Sequence, residues 1–464
     1  MALNARRQDR RRNRTVALAH RRLQEVELPI DRLSERGAGA DAAYETIRAE
    51  LLLDGQARLN LATFVTTWMP PLGARLMADT ADKNMIDKDE YPQTAEIEAR
   101  CVNILADLWH SPEHEQATGC STTGSSEAAM LAGMALKWRW RARQRAAGRP
   151  ADRPNLVMGS NVQVCWEKFC RYWEVEPRLV PMEGNTFHLT AERAVARCDE
   201  NTIGVVAILG STFDGSYEPV AEIARALDEL HSSRGIDVPM HVDAASGGFV
   251  APFLDPELEW DFRVARVQSI NASGHKYGLV YPGVGWAVWR DRAALPDELV
   301  FRVNYLGGDM PTFALNFSRP GSEVIAQYFM FMSLGRDGYT ATMRRLREIA
   351  TTLADEIAQL GPYQLISRGD QLPVFAFALS PQVRNYTVFD VSDRLREGGW
   401  LVPAYTFPEN RQDLSVLRIV VRSGMHADMA DHLLSQLRRQ TARLQALPTP
   451  LPKPDVKAAT AFAH

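Results

Sequence analysis

The chain has 464 residues, 45% hydrophobic and 24% charged, with 53 basic against 57 acidic side chains and a formal net charge of −4. That length can bury a large core in more than one domain, and the charge balance argues against nucleic acid as the main partner. No apolar run approaches the ~20 residues that span a bilayer, and five cysteines (Cys101, Cys120, Cys165, Cys170, Cys198) without a CxxC pair fit the reduced thiols of a cytoplasmic enzyme.

Residues 1–22 carry eight arginines (Arg6, Arg7, Arg10, Arg11, Arg12, Arg14, Arg21, Arg22) against the single acid Asp9. No apolar stretch of a secretory signal follows them, and the near absence of serine argues against a mitochondrial presequence. A solvated arm or a subunit contact is expected, with acidic lipid or nucleic acid as the other partners such charge attracts. Residues 41–54 read as a short helix, and "DGQARLNLATF" (54–64) as a turn into loop structure.

From about residue 90 apolar strands alternate with amphipathic helices. Helices are expected at 125–146, 162–173 and 220–233, and strands at 155–159, 175–182, 202–209, 239–246 and 264–272. Strands separated by helices of this length predict βαβ units and a mostly parallel sheet. "GVGWAVW" (283–289) follows a strand closely, as an antiparallel addition would. Beyond 345 a helix at 343–360, a strand at 374–379, a helix from 388, a strand at 414–421 and a helix from 427 form a smaller α/β unit. The expected organisation is an arm and helical segment at 1–60, a large domain at 61–345, a small domain at 346–450 and a tail at 451–464.

Two motifs mislead. "GAGADA" (37–42) matches a dinucleotide fingerprint, but no strand precedes it. "HSPEH" (110–114) matches H-x-x-E-H, but Pro112 breaks the helix that would bring both histidines to one face.

"SINASGHKYGL" (269–279) places Lys276 after a β-type run and small residues, where a solvated helix face is not expected. It is either an ordinary loop cation or a chemically active amine. Asp243 in "HVDAAS" and Thr212 in "LGSTFDG" each follow an apolar strand, where open α/β sheets bind ligands. Gly124, Ser125 and Ser126 open a helix, either as a plain N-cap or as a phosphate site. Pyridoxal phosphate needs such a set: an amine for the Schiff base, a carboxylate at the pyridinium nitrogen, a phosphate cup and a hydroxyl near the phenolic oxygen. Ser273 and His275 flank the lysine closely enough to complete the cup.

"HVDAASGGFVAPF" and "SINASGHKYGL" resemble the signature segments of glutamate decarboxylases, closest to the bacterial branch. "KNMIDKDEYPQTAEIE", "TGSSEAAMLAGMALKWRWR", "NTIGVVAILGSTFDG" and "FALNFSRP" extend the likeness over nearly the whole chain beyond the arm. The resemblance implies a pyridoxal-phosphate enzyme of the aspartate-aminotransferase-like fold (fold type I), an α/β protein with a large, mostly parallel seven-stranded-type sheet. It implies decarboxylation of glutamate to γ-aminobutyrate, with proton consumption and a place in acid resistance.

The roles it implies are these. Lys276 bonds the cofactor, Asp243 pairs the pyridinium nitrogen and Thr212 meets the phenolic oxygen. Gln163 lies over the ring; Gly124, Ser125, Ser126, Ser273 and His275 hold the phosphate, with Ser318 from a neighbouring subunit. Thr63 and Phe64 receive the distal carboxylate, with Asn84 and Asp87 from the partner chain, and Arg422 holds the α-carboxylate. Lys276 or Tyr305 returns the proton. His464 matches a family tail histidine that plugs the site at neutral pH, against the competing expectation of a disordered terminus. A homo-oligomer is implied, with a dimer as the minimal unit and a hexamer or acid-dependent membrane contact as further states. Three departures stand out: Glu167 where a histidine is usual, the Arg-rich arm, and residues 66–82 with Pro70 and Pro71. Aspartate or an aromatic acid as substrate, transamination, and a catalytically silent fold acting through its arm are the rival functions.

Overall fold

The protein is described by a computed structural model covering residues 31–35, 37–304 and 310–451. The Arg-rich arm, Tyr305 and His464 lie outside the described residues. The described residues divide into two compact units, one ending at Leu59 and one beginning at Asn60. In the first, the helix Ala40–Glu50 continues into the short turns Leu51–Leu53 and Ala57–Leu59, with no side chain buried.

The second unit is built on a seven-stranded sheet. Its strands are β1 (Gly119–Thr122), β2 (Asn155–Gly159), β3 (Glu176–Val180), β4 (Thr202–Ile208), β5 (Met240–Asp243), β6 (Val267–Ala272) and β7 (Gly285–Trp289), in the order β1-β7-β6-β5-β4-β2-β3. β3, β2, β4, β5 and β6 run parallel, while β7 runs antiparallel to both β6 and β1. The antiparallel addition expected at 283–289 is therefore present. Because β1 opposes β7, it points the same way as the parallel strands, and their carboxyl ends share one edge. All seven residues of β4 are buried, as in a strand covered on both faces.

The helix Ser125–Ala146 has the bounds read from the sequence. Its small apolar face (Ala128, Leu131, Ala135, Leu136) packs into one cluster with Leu156, Val206 and Trp289 of the sheet and Trp166 and Phe169 of the helix Val164–Tyr172. Gly133 permits that close approach, since a Cβ there would lie 2.6 Å from the Phe169 ring.

A second sheet, ordered β10-β11-β13-β12 and wholly antiparallel, forms from β10 (Tyr363–Leu365), β11 (Val374–Leu379), β12 (Ala404–Thr406) and β13 (Ser415–Val420). The helices Val388–Glu397 and Ala427–Gln445 accompany it. A short pair, β8 (Phe301–Val303) with β9 (Met310–Thr312), completes the strands.

Three elements differ from expectation. The helix expected at 343–360 starts at Ser322 and runs to Ala358, interrupted at Gly335 in left-handed φ (57°), so the apolar "VIAQYFMFM" is helical too. It crosses the 345/346 division. The helix Pro92–Leu108 was masked by its proline, which occupies the first turn, where a missing N–H costs nothing. Pro71 likewise opens the helix Pro71–Asp79 inside the divergent segment 66–82. No described helix is long and apolar enough to cross a membrane.

Candidate active site

The residues expected around the cofactor gather along the shared carboxyl edge of the sheet. Asp243 is the last residue of β5, Ser273–Lys276 follow β6, Thr212 follows β4, Gln163 follows β2 and Gly124 follows β1. This is where open α/β sheets bind ligands, because the strand ends and helix amino termini converge there.

Asp243 is buried and fully engaged. Oδ1 accepts from Asn271 Nδ2 and the Ala245 N–H, each at 3.1 Å, and Oδ2 accepts from Trp166 Nε1 at 2.8 Å. The β5–β6 register explains the set: His241 faces Ser269 and Asp243 faces Asn271, with both members of each strand on one face because side chains repeat every second residue. His241 Nε2 donates to Asn271 Oδ1 at 2.7 Å and Nδ1 accepts from Ser269 Oγ at 2.8 Å, the tautomer that leaves Asn271 Nδ2 for Asp243. Burial pushes His241 down to about 4, so the ring is neutral. The Trp166 ring lies 5.1 Å from it.

Lys276 Nζ donates to Ser246 Oγ at 3.3 Å and sits 5.3 Å from the Phe64 ring centroid. Burial pushes the amine down and the Asp243 charge opposes that shift. Thr66 fastens the lysine turn to the Thr63–Phe64 segment, its N–H donating to the His275 carbonyl at 2.7 Å and its hydroxyl to the Lys276 carbonyl at 2.6 Å. Leu279, whose N–H donates to the Lys276 carbonyl at 3.2 Å, adopts a left-handed φ of 68°, a costly conformation for a residue with a side chain.

The residues expected to hold the phosphate also lie together. The Ser125 and Ser273 hydroxyls touch, Gly124 caps the helix, and Ser126 is exposed in its first turn. His275 Nδ1 accepts from the Gly283 N–H at 3.3 Å, and burial, then the neighbouring Lys276 charge, pushes the ring down to about 4. Gln163 Nε2 donates to Thr212 Oγ1 at 2.7 Å, joining the two residues expected around the cofactor ring. Arg422 is buried, its pKa pushed down to about 10 by that burial, and the Tyr277 hydroxyl donating to the Val421 carbonyl at 3.1 Å brings it beside the lysine turn.

Asn84, Asp87 and Ser318 form a separate cluster. Asn84 Nδ2 donates to Asp87 Oδ2 at 3.0 Å and to Ser318 Oγ at 3.3 Å, and among the described residues no hydrogen bond links the three to Lys276 or the cup of the same chain. Two buried carboxylates tie this cluster to β1. Glu98 pairs with Arg319 Nη2 at 2.9 Å and accepts from Ser121 on β1. Glu127 accepts from the Thr123, Leu315 and Asn316 N–H groups.

Residues 36–380 match the family described as pyridoxal-dependent decarboxylase conserved domain. The chain belongs to the pyridoxal-dependent decarboxylase family. It is 53% identical over 415 residues to a glutamate decarboxylase of Aliivibrio fischeri, with 89% of each chain covered. It is 50% identical over 411 residues to glutamate decarboxylase 5 of Arabidopsis thaliana, covering 88% of this chain and 83% of that one. A solved Lactobacillus brevis glutamate decarboxylase superposes with a TM-score of 0.89 at 46% identity, covering 92% of this chain and 97% of that one.

The cofactor of this decarboxylase is pyridoxal phosphate, and the residues fit it. A Cβ on Gly124 would meet His275 Cε1 at 3.0 Å, and one on Gly285 would strike Gly124 at 2.4 Å, so two glycines let His275 and β7 pack closely against the helix start that would hold the phosphate. The sequence reading missed Trp166, Asn271, His241, Ser246, Arg418, Glu98 and Glu127. A signal existed for two of them: polar His241 and Asn271, like Ser269 beside them, alternate with apolar residues inside buried strands. Glu167, flagged as a departure, faces solvent, while its neighbour Trp166 meets the carboxylate.

Proposed function

We propose that this decarboxylase removes the α-carboxyl group of L-glutamate, releasing carbon dioxide and 4-aminobutanoate and taking up one proton per turnover. The observation that carries the reading is the Thr63–Phe64 wall facing the lysine. The Phe64 ring lies under Lys276 Nζ, and among the described residues no acceptor takes the Thr63 or Phe64 N–H, leaving two donors for a distal carboxylate.

When bound, pyridoxal phosphate supplies the electron sink for the carbanion left as carbon dioxide departs. The chain does the rest. Lys276 Nζ would attach the cofactor, and Lys276 or Tyr305 would return the proton to Cα. Asp243, steadied by Trp166 and Asn271, keeps negative charge beside the pyridine nitrogen. Thr212 and Gln163 set the ring, and Gly124, Ser125, Ser126, Ser273 and His275 hold the phosphate. Arg422 would bind the α-carboxylate and so orient the bond that breaks.

We assign Asn84, Asp87 and Ser318 to the site of a neighbouring subunit, which makes a homo-oligomer the working form; their distance from the cup of their own chain in the hydrogen-bond network supports this. The division into 61–345 and 346–450, a cytoplasmic location, a role in acid resistance and a pH-dependent plug at His464 belong to the same proposal. Protonation of His464 near the ordinary histidine value of ~6.5 would release the plug.

The deciding experiment supplies glutamate, aspartate and tyrosine to the cofactor-loaded protein and measures amine and carbon dioxide. Glutamate alone should react; preference for tyrosine or aspartate would reject the substrate and leave the cofactor standing. Removing the last few residues should extend activity toward neutral pH, and an unchanged profile would remove the plug.

A further inference from the structure

Arg418 lies in the middle of β13, opposite Ala376 of β11, and only 3% of its surface is exposed. Its Nη1 donates to the Thr212 carbonyl at 2.5 Å and its Nη2 to the Ala62 carbonyl at 2.6 Å. The guanidinium also lies 4.8 Å from the Phe64 ring centroid and 5.5 Å from that of Tyr405. One side chain from the small sheet thus grips both walls of the cleft: the loop bearing Thr212 and the segment bearing Thr63 and Phe64.

Its charge has no counter-ion among the described residues. Among the described residues no carboxylate lies within ion-pair distance of Arg418, and its Nε is buried without a hydrogen-bond partner. Arg319 makes the contrast, since it is equally enclosed but paired with Glu98. A buried cation is costly unless something compensates it; carbonyl dipoles and ring faces do so in part and leave the net charge in place. Lys276 over the same Phe64 ring and buried Arg422 add to the positive field. Consistently, the Arg418 charge helps push the Lys276 amine down. The bond to Ala62 has a second effect. In a trans peptide the carbonyl of residue 62 and the N–H of residue 63 point in opposite directions, so gripping one aims the other.

We propose that Arg418 is a specificity-determining residue of this cleft: it aims the Thr63–Phe64 wall and supplies the positive field that a second substrate carboxylate completes, selecting acidic over neutral amino-acid side chains. The proposal deepens the glutamate reading and rests on it. Arg418 acts through the wall and through its field rather than by contact with the reacting atoms.

The test compares glutarate with glutaramate, which replaces one carboxylate by a neutral amide. Binding to the cofactor-free and cofactor-loaded protein is measured by calorimetry for the parent, Arg418→Gln and Arg418→Lys, alongside kcat and KM for L-glutamate and L-glutamine. Arg418→Gln should narrow the preference for glutarate by roughly tenfold or more, with the loss in KM for glutamate exceeding the loss in kcat, while Arg418→Lys keeps the preference within about threefold. Equal weakening of both ligands in both variants would mean a purely structural rivet and overturn the proposal. If Arg418→Gln does not fold, Arg418→Lys decides alone, because loss of the preference with the charge retained refutes the role of charge. The ligand comparison needs no turnover. A parent protein that binds glutarate over glutaramate but does not decarboxylate glutamate would reject the substrate reading and leave Arg418 to be judged separately.

Discussion

Replacing Trp166 by Phe tests how the carboxylate at the end of β5 is held. The change deletes the 2.8 Å bond to Asp243 Oδ2 and keeps an aromatic body between His241 and Phe169, whose rings lie 5.1 and 6.1 Å away. Oδ1 keeps its contacts with Asn271 and the Ala245 N–H, so the carboxylate stays in place but its second oxygen is free to turn. A hydrogen bond to a charged group contributes about 1.5–3 kcal/mol, or between about 10- and 100-fold in an equilibrium constant. The expected outcome is a cofactor affinity lower by that factor, read by titrating the cofactor-free protein at a temperature well below unfolding. The smaller ring also leaves a cavity costing about 1–2 kcal/mol of stability, which a separate melting curve reports. Cofactor affinity within about twofold of the parent, in a folded variant, would refute the idea that Trp166 orients Asp243.

Lys276→Ala should lose at least about a thousandfold in turnover while the cup still binds the cofactor without a covalent bond, checked by amine production and dialysis-sensitive absorbance. His241 is neutral in the fold, with its value depressed to about 4. Its contribution is complete above the ordinary ~6.5 and is lost as pH falls from there through about 4, up to about 3 kcal/mol. Subtracting the pH dependence of His241→Gln unfolding from that of the parent should expose this slope; parallel curves would contradict it. Arg319→Met strands buried Glu98 and should cost about 3–5 kcal/mol, with Arg319→Met/Glu98→Gln recovering part of it in chemical denaturation.

Local patterning carried most of the fold. The period-3.6 apolar face of 125–146, the continuous apolar run at 202–208 and the short spacing before 285–289 each predict their element, because helix, buried strand and tight reversal depend on neighbours in the chain. Proline positions were harder to read, since Pro71 and Pro92 open helices instead of breaking them. The long helix from Ser322 was half hidden, because its apolar first half lacks a polar face.

The site divides in the same way. Lys276, Asp243, Thr212 and the Gly124–Ser126 turn were each ambiguous alone and legible as a set, because each sits at a strand end or helix start, which sequence marks directly. What holds them was decided by tertiary structure. Trp166 reaches Asp243 across 77 residues of chain, Asn271 reaches it only through the β5–β6 register, and Arg418 joins Ala62 to Thr212 from a different sheet. Such partners have no characteristic spacing, because their proximity comes from sheet order and packing. The sequence by itself determined which chemistry the chain carries, and the packed structure decided the orientation and the electric field in which that chemistry operates.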